Sequence, residues 1–426
     1  MILCSHPTGN ANVRAVLAAL EEQQLLQTFC TTLAVQPEDW PLKMLPARLR
    51  HQVARRGYTF PRGTVVRFPA REAVRHIASA LHISALTTHE TGWASVDAVC
   101  RGLDHAVAHR LRVQNPSPRL SGVYCYEDCA WQTFQAAKEQ GLACFYDLPI
   151  AYWETAQRLL EEEAARWPEW EPTLVGTRDS PAKLARKTEE LALADVVLAP
   201  SRFVLDSLPA QARAQKPCYV TEFGSPSVPA AESDAGVSTL ASESGSEQQR
   251  RLRVLFVGSM TQRKGLADLF AAMKLLNRAD VELVVMGSPV APLEFYRRQY
   301  SGFRYEALRP HADVLRLMRS CDVLALPSLV EGRALVQQEA LACGLPLLVT
   351  ANAGGEDLID EGRTGFLVPI RSPEIIAENI AWFADNRALL PDLRQCAQAK
   401  AAQYTWGRYG DRIAEIVCRH SVHKVA

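Results

Sequence analysis

The chain has 426 residues, 48% of them hydrophobic and 22% charged, with 47 Lys+Arg set against 47 Asp+Glu. That length gives room for about two to three domains, the composition is ordinary for a water-soluble globular protein, and zero net charge excludes a whole-chain attraction to nucleic acid. The eleven cysteines are odd in number, scattered singly and without CxxC, so they read as reduced cytosolic thiols rather than a disulfide or zinc framework.

The N-terminal MILCSHPTGN has too short an apolar part, and no basic flank, for a signal peptide. No run approaches the roughly 18 apolar residues of a membrane-spanning helix, so a cytoplasmic protein is expected. MILCS reads as a first strand, and Ser5-His6-Pro7-Thr8-Gly9-Asn10 as the loop after it. Gly9 and Asn10 permit close backbone approach to a ligand. His6 either faces that ligand or is a hydrogen-bonded structural residue. The basic, partly amphipathic LPARLRHQVARR (45–56) is read either as a peripheral contact with anionic membrane or a lipid-linked acceptor, or as a solvated surface helix.

Further strands are expected at 119–128, 142–149, 194–201 and 216–224, with helices at 134–140 and 182–194. Two strands end in acid, at Glu127-Asp128 and at Asp147. Carboxylates there either orient or deprotonate a hydroxyl or serve as caps and turns. The segment 146–170 combines aromatics with an acidic helix; it either walls a sugar site or packs in the interior. Residues 225–250 are rich in Ser, Ala, Gly and acids and bury too little apolar surface to offset their ordering entropy. They read as a flexible linker between a first domain, 1–224, and a second, 251–403.

The second half alternates clearly. Strands at 253–259, 281–287, 322–328, 345–350 and 365–369 are separated by helices at 265–277, 313–320 and 333–343, the last closed by Gly344. Short apolar runs divided by helices indicate α/β domains with doubly wound parallel sheets covered on both faces. Ligands of such sheets bind beyond the carboxyl ends of the strands.

Two features stand at those ends. VGSMTQRKG (257–265) closes a strand at Gly258 and opens a helix with Arg263-Lys264-Gly265. Cations beside helix N–H groups suit a diphosphate, or form a solvated basic turn. There is no P-loop and no GxGxxG fingerprint, so neither nucleotide hydrolysis nor dinucleotide redox is supported. Glu331 follows a strand, and Glu339 lies eight residues on within a helical pattern. On one helix, that spacing is roughly 12 Å, which suits a long ligand with a sugar at one end and a ribose diol at the other. The plain alternative is a helix-dipole charge and a surface residue.

Taken in order, Gly258, Lys264-Gly265, VMG ending at Gly287, DVLALPS, Glu331-x7-Glu339, CGLPLLVT and TGFLVP resemble the donor half of family-four glycosyltransferases. The resemblance covers about 250–415 and includes 190–208, ELALADVVLAPSRFVLDSL, and a closing helix, 404–426, that crosses back to the first domain. It implies the GT-B fold, two Rossmann-like domains facing a cleft, and a retaining transfer from a nucleotide-diphospho-sugar to a glycan, lipid-linked or small-molecule hydroxyl. No metal and no cofactor beyond that donor substrate are implied.

By position, the resemblance assigns Glu331 to the donor sugar, Glu339 to the ribose and Lys264 to the diphosphate. Gly258, Ser259, Arg263, Gly287, Gly332, Arg333, Ala334 and Leu335 surround the donor. Lys264, Glu331 and Asp147 are the candidate catalytic groups, and Gly9, Asn10, Glu127 and Asp147 lie on the acceptor side. The chain also departs from the family pattern. Ser259 stands where Arg is frequent, and Arg263 is expected to supply that charge. Ala334 replaces a glycine, Arg333 adds a charge, and Gly354-Gly355-Glu356-Asp357 replaces G-G-x-P. The donor sugar is left open. Rival readings are an epimerase, a phosphorylase or a non-catalytic sugar-nucleotide binder.

Overall fold

The computed structural model describes residues 1–35, 57–58, 60, 64–113, 120–174, 176, 178–226 and 250–421. The basic 45–56 segment and residues 227–249 of the expected linker lie outside these. The described residues form two wholly parallel sheets. The first has seven strands in the order β3-β2-β1-β4-β5-β6-β7. These are β1 Ile2–Ser5, β2 Leu26–Thr31, β3 Val65–Arg67, β4 Gly122–Tyr126, β5 Ala143–Asp147, β6 Val196–Ala199 and β7 Cys218–Val220. The second has six in the order β10-β9-β8-β11-β12-β13: β8 Leu252–Val257, β9 Val281–Met286, β10 Phe303–Glu306, β11 Val323–Leu326, β12 Leu347–Thr350 and β13 Gly365–Val368.

Both are doubly wound Rossmann-like sheets, the GT-B architecture expected from the sequence. The inner strands β4, β5, β6, β11 and β12 are buried along their whole length. Helices cover both faces, which is why these strands read as continuous apolar runs. In each sheet the winding reverses once, between β1 and β4 in the first and between β8 and β11 in the second.

Two segments tie the halves together. The helix Trp406–Ser421 packs on the helix Ala11–Glu22, with Tyr409, Ile413, Ala414, Ile416 and Val417 joining the first sheet's core. At their crossing a side chain on Gly410 would lie 2.7 Å from Ala15 O. In the opposite direction, the helix Trp153–Arg166 and the turn Pro168–Thr173 leave the first sheet for the second. Trp170 is 1% exposed and packs edge-on against Phe270, Phe295 and Tyr296 of the second domain, at centroid distances of 5.9, 5.1 and 5.7 Å. The stretch 1–224 thus reaches into the second domain's core. Part of this stretch completes the other core, because its tryptophan finds an aromatic pocket there.

The first half contains more than its sequence suggests. β2, β3 and the helices Ala11–Glu22, Ala70–Ala80 and Val96–Val113 were not anticipated. In the second half the expected helix 333–343 starts only at Leu335, and residues 331–334 precede it outside any helix. Glu331 is therefore not on the same helix as Glu339, and the helical spacing between them does not apply. Among the described residues no helix is long and apolar enough to cross a membrane.

Candidate functional site

The reversal between β8 and β11 places two loops side by side at the carboxyl edge of the second sheet. β8 runs into Gly258–Lys264, and β11 into Ser328–Ala334. Gly258 has φ +146°, a backbone conformation that favours glycine. A Cβ there would meet the Lys264 stem at 2.8 Å, while one on Gly287 would sit 1.7 Å from Gly258 O. The strand ends thus touch backbone to backbone and the lysine stem folds over them. Ser259 is half-buried and its carbonyl accepts from Thr261 N at 2.9 Å. The short turn Gln262–Lys264 then presents Arg263 and Lys264.

Both cations converge on one carboxylate. Lys264 Nζ donates to Glu331 Oε1, and Arg263 Nη1 reaches the same oxygen at 3.0 Å. Arg263 Nη1 also donates to Val330 O at 2.7 Å, and Arg263 O accepts from Leu329 N at 2.8 Å. Glu331 is buried. Burial pushes its carboxyl up, but Lys264 and Arg263 outweigh that and hold it below its ordinary value. Burial is the largest influence on Lys264 and lowers its ammonium; Glu331 opposes this and Arg263 adds to it. The cluster holds two cations and one anion, a net positive charge at the switch point of an α/β sheet. Such a place suits a polyanion.

The rest of the loop faces the first domain. A Cβ on Gly332 would lie 1.7 Å from Pro149 O, and Gly332 O accepts from Ser201 Oγ at 2.6 Å. Leu329 and Val330 share an apolar cluster with Ala151, Leu159, Leu160 and Leu174. Ala334 has φ −68° and ψ 106°, extended geometry open to any residue. The alanine that replaces a glycine here therefore puts no strain on the backbone. Leu335 packs against the first sheet's core, and Gln338 Nε2 donates to Phe223 O.

Arg333 does not add a free charge. Its side chain is wholly buried, pairs with Asp357 through two bonds of 2.7 and 2.9 Å, and donates to Gly354 O at 3.0 Å. Glu339 stands apart from Glu331, with its Oε1 2.9 Å from His311 Nε2 at the start of the helix His311–Arg319.

The acceptor-side candidates follow β1 and β4 or end β5, neighbouring strands of the first sheet, and Glu127 N donates to Asp147 O at 3.1 Å. Gly9 is packed on a side chain of its own domain: a Cβ would lie 1.8 Å from the Tyr58 hydroxyl. Gly9 O accepts from Arg14 Nε at 2.9 Å. Asn10 precedes the helix Ala11–Glu22, and its Oδ1 accepts from Thr8 Oγ1 at 3.2 Å. His6 Nδ1 accepts from Thr8 N at 2.9 Å, and its ring lies edge-on to Tyr126, so it fastens its own turn.

Glu127 pairs with Lys187 at 3.2 Å, and burial raises its carboxyl against that partner's pull. Asp147 sits beneath the first sheet's edge and accepts from Tyr124 OH at 2.7 Å. Burial pushes it up to about 7, with the Tyr124 hydrogen bond working against the rise. Its charged and aromatic surroundings are Tyr124, Tyr126, Tyr409 and Cys4. It does not join Lys264 and Glu331.

A pocket between the halves adjoins the cation cluster. Ile150, Trp153, Gln157, Leu160, Asp179 and Lys187 of the first half line it, and Arg263 and Val330 close it from the second. Trp153 and Gln157 lie in the aromatic and acidic stretch that the sequence singled out. Asp179, Lys187 and His311 carried no motif and were missed. His89, Glu90 and Asp179 bring three ligand atoms within 4.8 Å of one another, but the Lys183 ammonium already stands 2.9 Å from Asp179.

Residues 251–386 match the family model described as Glycosyl transferases group 1. The D-inositol 3-phosphate glycosyltransferase 1 of Catenulispora acidiphila is 29% identical over 179 residues, 38% of this chain and 43% of that protein. The D-inositol 3-phosphate glycosyltransferase of Corynebacterium efficiens is 27% identical over 176 residues, 38% and 42% of the two chains. The matched segment thus spans about two fifths of these curated relatives. Whole-chain likeness is found among solved structures. Sucrose-phosphate synthase from Thermosynechococcus elongatus superposes with a TM-score of 0.64 at 15% identity, covering 98% of both chains. Anabaena HepE in complex with UDP gives 0.61 at 16% identity, covering 98% of this chain and 99% of that one. At such identities the likeness is one of fold.

Proposed function

We propose that the protein is a retaining glycosyltransferase that moves a sugar from a nucleotide-diphospho-sugar to an acceptor hydroxyl. The observation that carries this reading is the convergence of Arg263 and Lys264 on Glu331 at the switch point of the second sheet. These residues lie within the segment that matches the group 1 glycosyl transferases. The structural neighbour HepE, seen in complexes with UDP and with UDP-glucose, supports the donor class. The retaining course rests on the family-four resemblance.

The residues divide the work as follows. Before the donor arrives, Glu331 neutralises part of the charge of two cations held in a largely buried place. A diphosphate competes for the same cations and frees the carboxylate to accept a hydrogen bond from a donor-sugar hydroxyl. As the bond to the sugar breaks, negative charge grows on the leaving diphosphate. Lys264 and Arg263, already positioned by Gly258 and Val330, meet that charge without reorganising. Glu339 accepts from the ribose diol. The acceptor enters the pocket beside Arg263, where Trp153 offers an aromatic face to a sugar ring and Gln157 and Asp179 offer hydrogen-bond partners. Loop 328–334 belongs to both sites, since it carries Glu331 and packs against Pro149.

The test is titration calorimetry with UDP-, GDP- and ADP-sugars on the wild type and on Lys264→Ala. One donor is expected to bind, and the variant to bind it more weakly. With that donor, an acceptor screen followed by proton NMR reads the anomeric configuration of the product. Equal binding of every donor by both proteins, or no binding at all, would sink the reading; an inverted product would overturn its retaining part alone.

A further inference from the structure

We infer that His311 is a positioning residue for the donor's ribose, acting through Glu339; this rests on the nucleotide-sugar reading above. The helix Leu335–Ala342 is short and mostly buried, and its two glutamines, Gln337 and Gln338, are wholly enclosed and used for packing. Glu339 is its remaining polar side chain, 22% exposed, and it meets His311, the first residue of the helix that follows the carboxyl end of β10.

The chemistry of this contact is directional. An ionised carboxylate only accepts, so the imidazole Nε2 bears the hydrogen and donates to Oε1 at 2.9 Å. That bond fixes the rotation of the carboxylate. Among the described residues Oε2 has no hydrogen-bond partner, so one oxygen of a fixed carboxylate stays open to a hydroxyl. In a neutral ring Nδ1 is left as an acceptor, a second site for the same diol. His311 is 55% exposed. An exposed pair of this kind contributes little to stability, so its worth lies in orientation. A carboxylate free to rotate loses conformational entropy when it binds, and one held in advance loses less.

The experiment uses calorimetry with UDP, GDP and ADP to find the nucleoside diphosphate that binds, then the same nucleotide in its 2′-deoxy form. The proteins are wild type, His311→Ala, His311→Gln, Glu339→Ala, the His311→Ala/Glu339→Ala double variant and Lys264→Ala, each checked for fold by circular dichroism. His311→Ala is expected to weaken the ribonucleotide roughly tenfold, the worth of one hydrogen bond at about 1.4 kcal/mol per decade. The 2′-deoxy form should change much less. His311→Gln, whose amide nitrogen can take the place of Nε2, should recover most of the loss. The double variant should bind no more weakly than Glu339→Ala. With the best donor, KM should rise while kcat holds.

Wild-type binding by His311→Ala alongside weakened binding by Glu339→Ala would overturn the role of His311 and leave the donor reading standing. Equal losses for the ribo and deoxy forms would also overturn it, because the histidine would then act elsewhere than on the diol. Unchanged binding in Glu339→Ala and Lys264→Ala alike would bring down the donor reading, and this proposal with it.

Discussion

Arg333 and Asp357 face each other through two hydrogen bonds, Nη1 to Oδ1 at 2.7 Å and Nη2 to Oδ2 at 2.9 Å. The guanidinium lies over the Tyr404 ring at 5.3 Å and is closed off from solvent. Asp357 in turn is held below its ordinary value: burial raises it, but the Arg333 hydrogen bonds and charge outweigh that. Asp357→Ala leaves an arginine buried without its counter-charge and is expected to cost about 3–5 kcal/mol of stability. An Arg333→Met/Asp357→Leu double variant should lose less than the single change, since no orphan charge remains. Urea denaturation of the three proteins checks both statements.

This pair shows what the sequence conceals and what it reveals. Arg333 and Asp357 each stood out as departures from the family pattern. Their being partners across 24 positions follows only from the loops after β11 and β12 lying side by side. The second half was legible because most of its parallel strands are unbroken, buried apolar runs, three of them followed by glycine or proline at Gly258, Gly287 and Pro327. The first half was less so. Its helix Ala11–Glu22 has no side-chain N-cap, and β3 is only three residues long and half-exposed. Glu331 and Lys264 stood out in the sequence through their places at strand ends, and the structure pairs them. Gly9 packs on Tyr58, and a glycine beside a tyrosine looks the same in sequence as a glycine beside a ligand. Trp170 gave no sign that it would cross to the other core.

That crossing has a measurable consequence. Glu163, wholly buried on the same crossing segment, accepts from Gln262 Nε2 at 2.6 Å and Arg371 Nε at 2.7 Å. Gln262 opens the turn that carries Arg263 and Lys264. Trp170→Ala is expected to cost about 3–5 kcal/mol, as for any large core aromatic. It should also weaken donor binding, because the arm steadies the cation turn. Calorimetric unfolding and donor titration on the same sample read the two effects. Lost stability with unchanged donor affinity would show that the arm packs without steadying the site.

Asp147 predicts a pH dependence whose sign is set by burial. Its carboxyl is raised from an ordinary 3.8 to about 7 in the folded protein. Between those values the folded state holds a proton that the unfolded state has released. Stability from this group is therefore present below pH 4, falls as pH rises toward 7, and is flat above. At about 1.36 kcal/mol per unit the loss reaches roughly 4 kcal/mol at most. Asp147→Asn keeps an oxygen for the Tyr124 hydroxyl and cannot ionise. Its Tm should match the wild type near pH 4 and exceed it increasingly toward pH 7, with a constant gap beyond. Scanning calorimetry from pH 4 to 8.5 tests this. A gap that does not change with pH would mean that Asp147 is ionised throughout.

The kinetics of Lys264, Glu331 and Glu339 separate binding from chemistry. A ribose contact is the same in the ground and transition states, so Glu339→Ala should raise donor KM and leave kcat alone. The loss is roughly 1.5–3 kcal/mol for a charged hydrogen bond. In the proposed reaction Lys264 meets charge that grows as the diphosphate leaves, so Lys264→Ala should lower kcat as well as affinity. The structure adds a condition. Lys264 and Arg263 share one oxygen of Glu331, so Lys264→Ala leaves Arg263 as that carboxylate's one cation partner among the described residues. Arg263 is then held more firmly by Glu331 and is less available to phosphate. Lys264→Ala/Glu331→Gln should therefore recover part of the donor affinity lost in Lys264→Ala, without recovering kcat. Steady-state rates at saturating donor, with circular dichroism on each variant, decide it. Full kcat in Lys264→Ala would remove the lysine from the chemistry. A double variant no better than Lys264→Ala would mean that Glu331 does not compete with the donor for these cations.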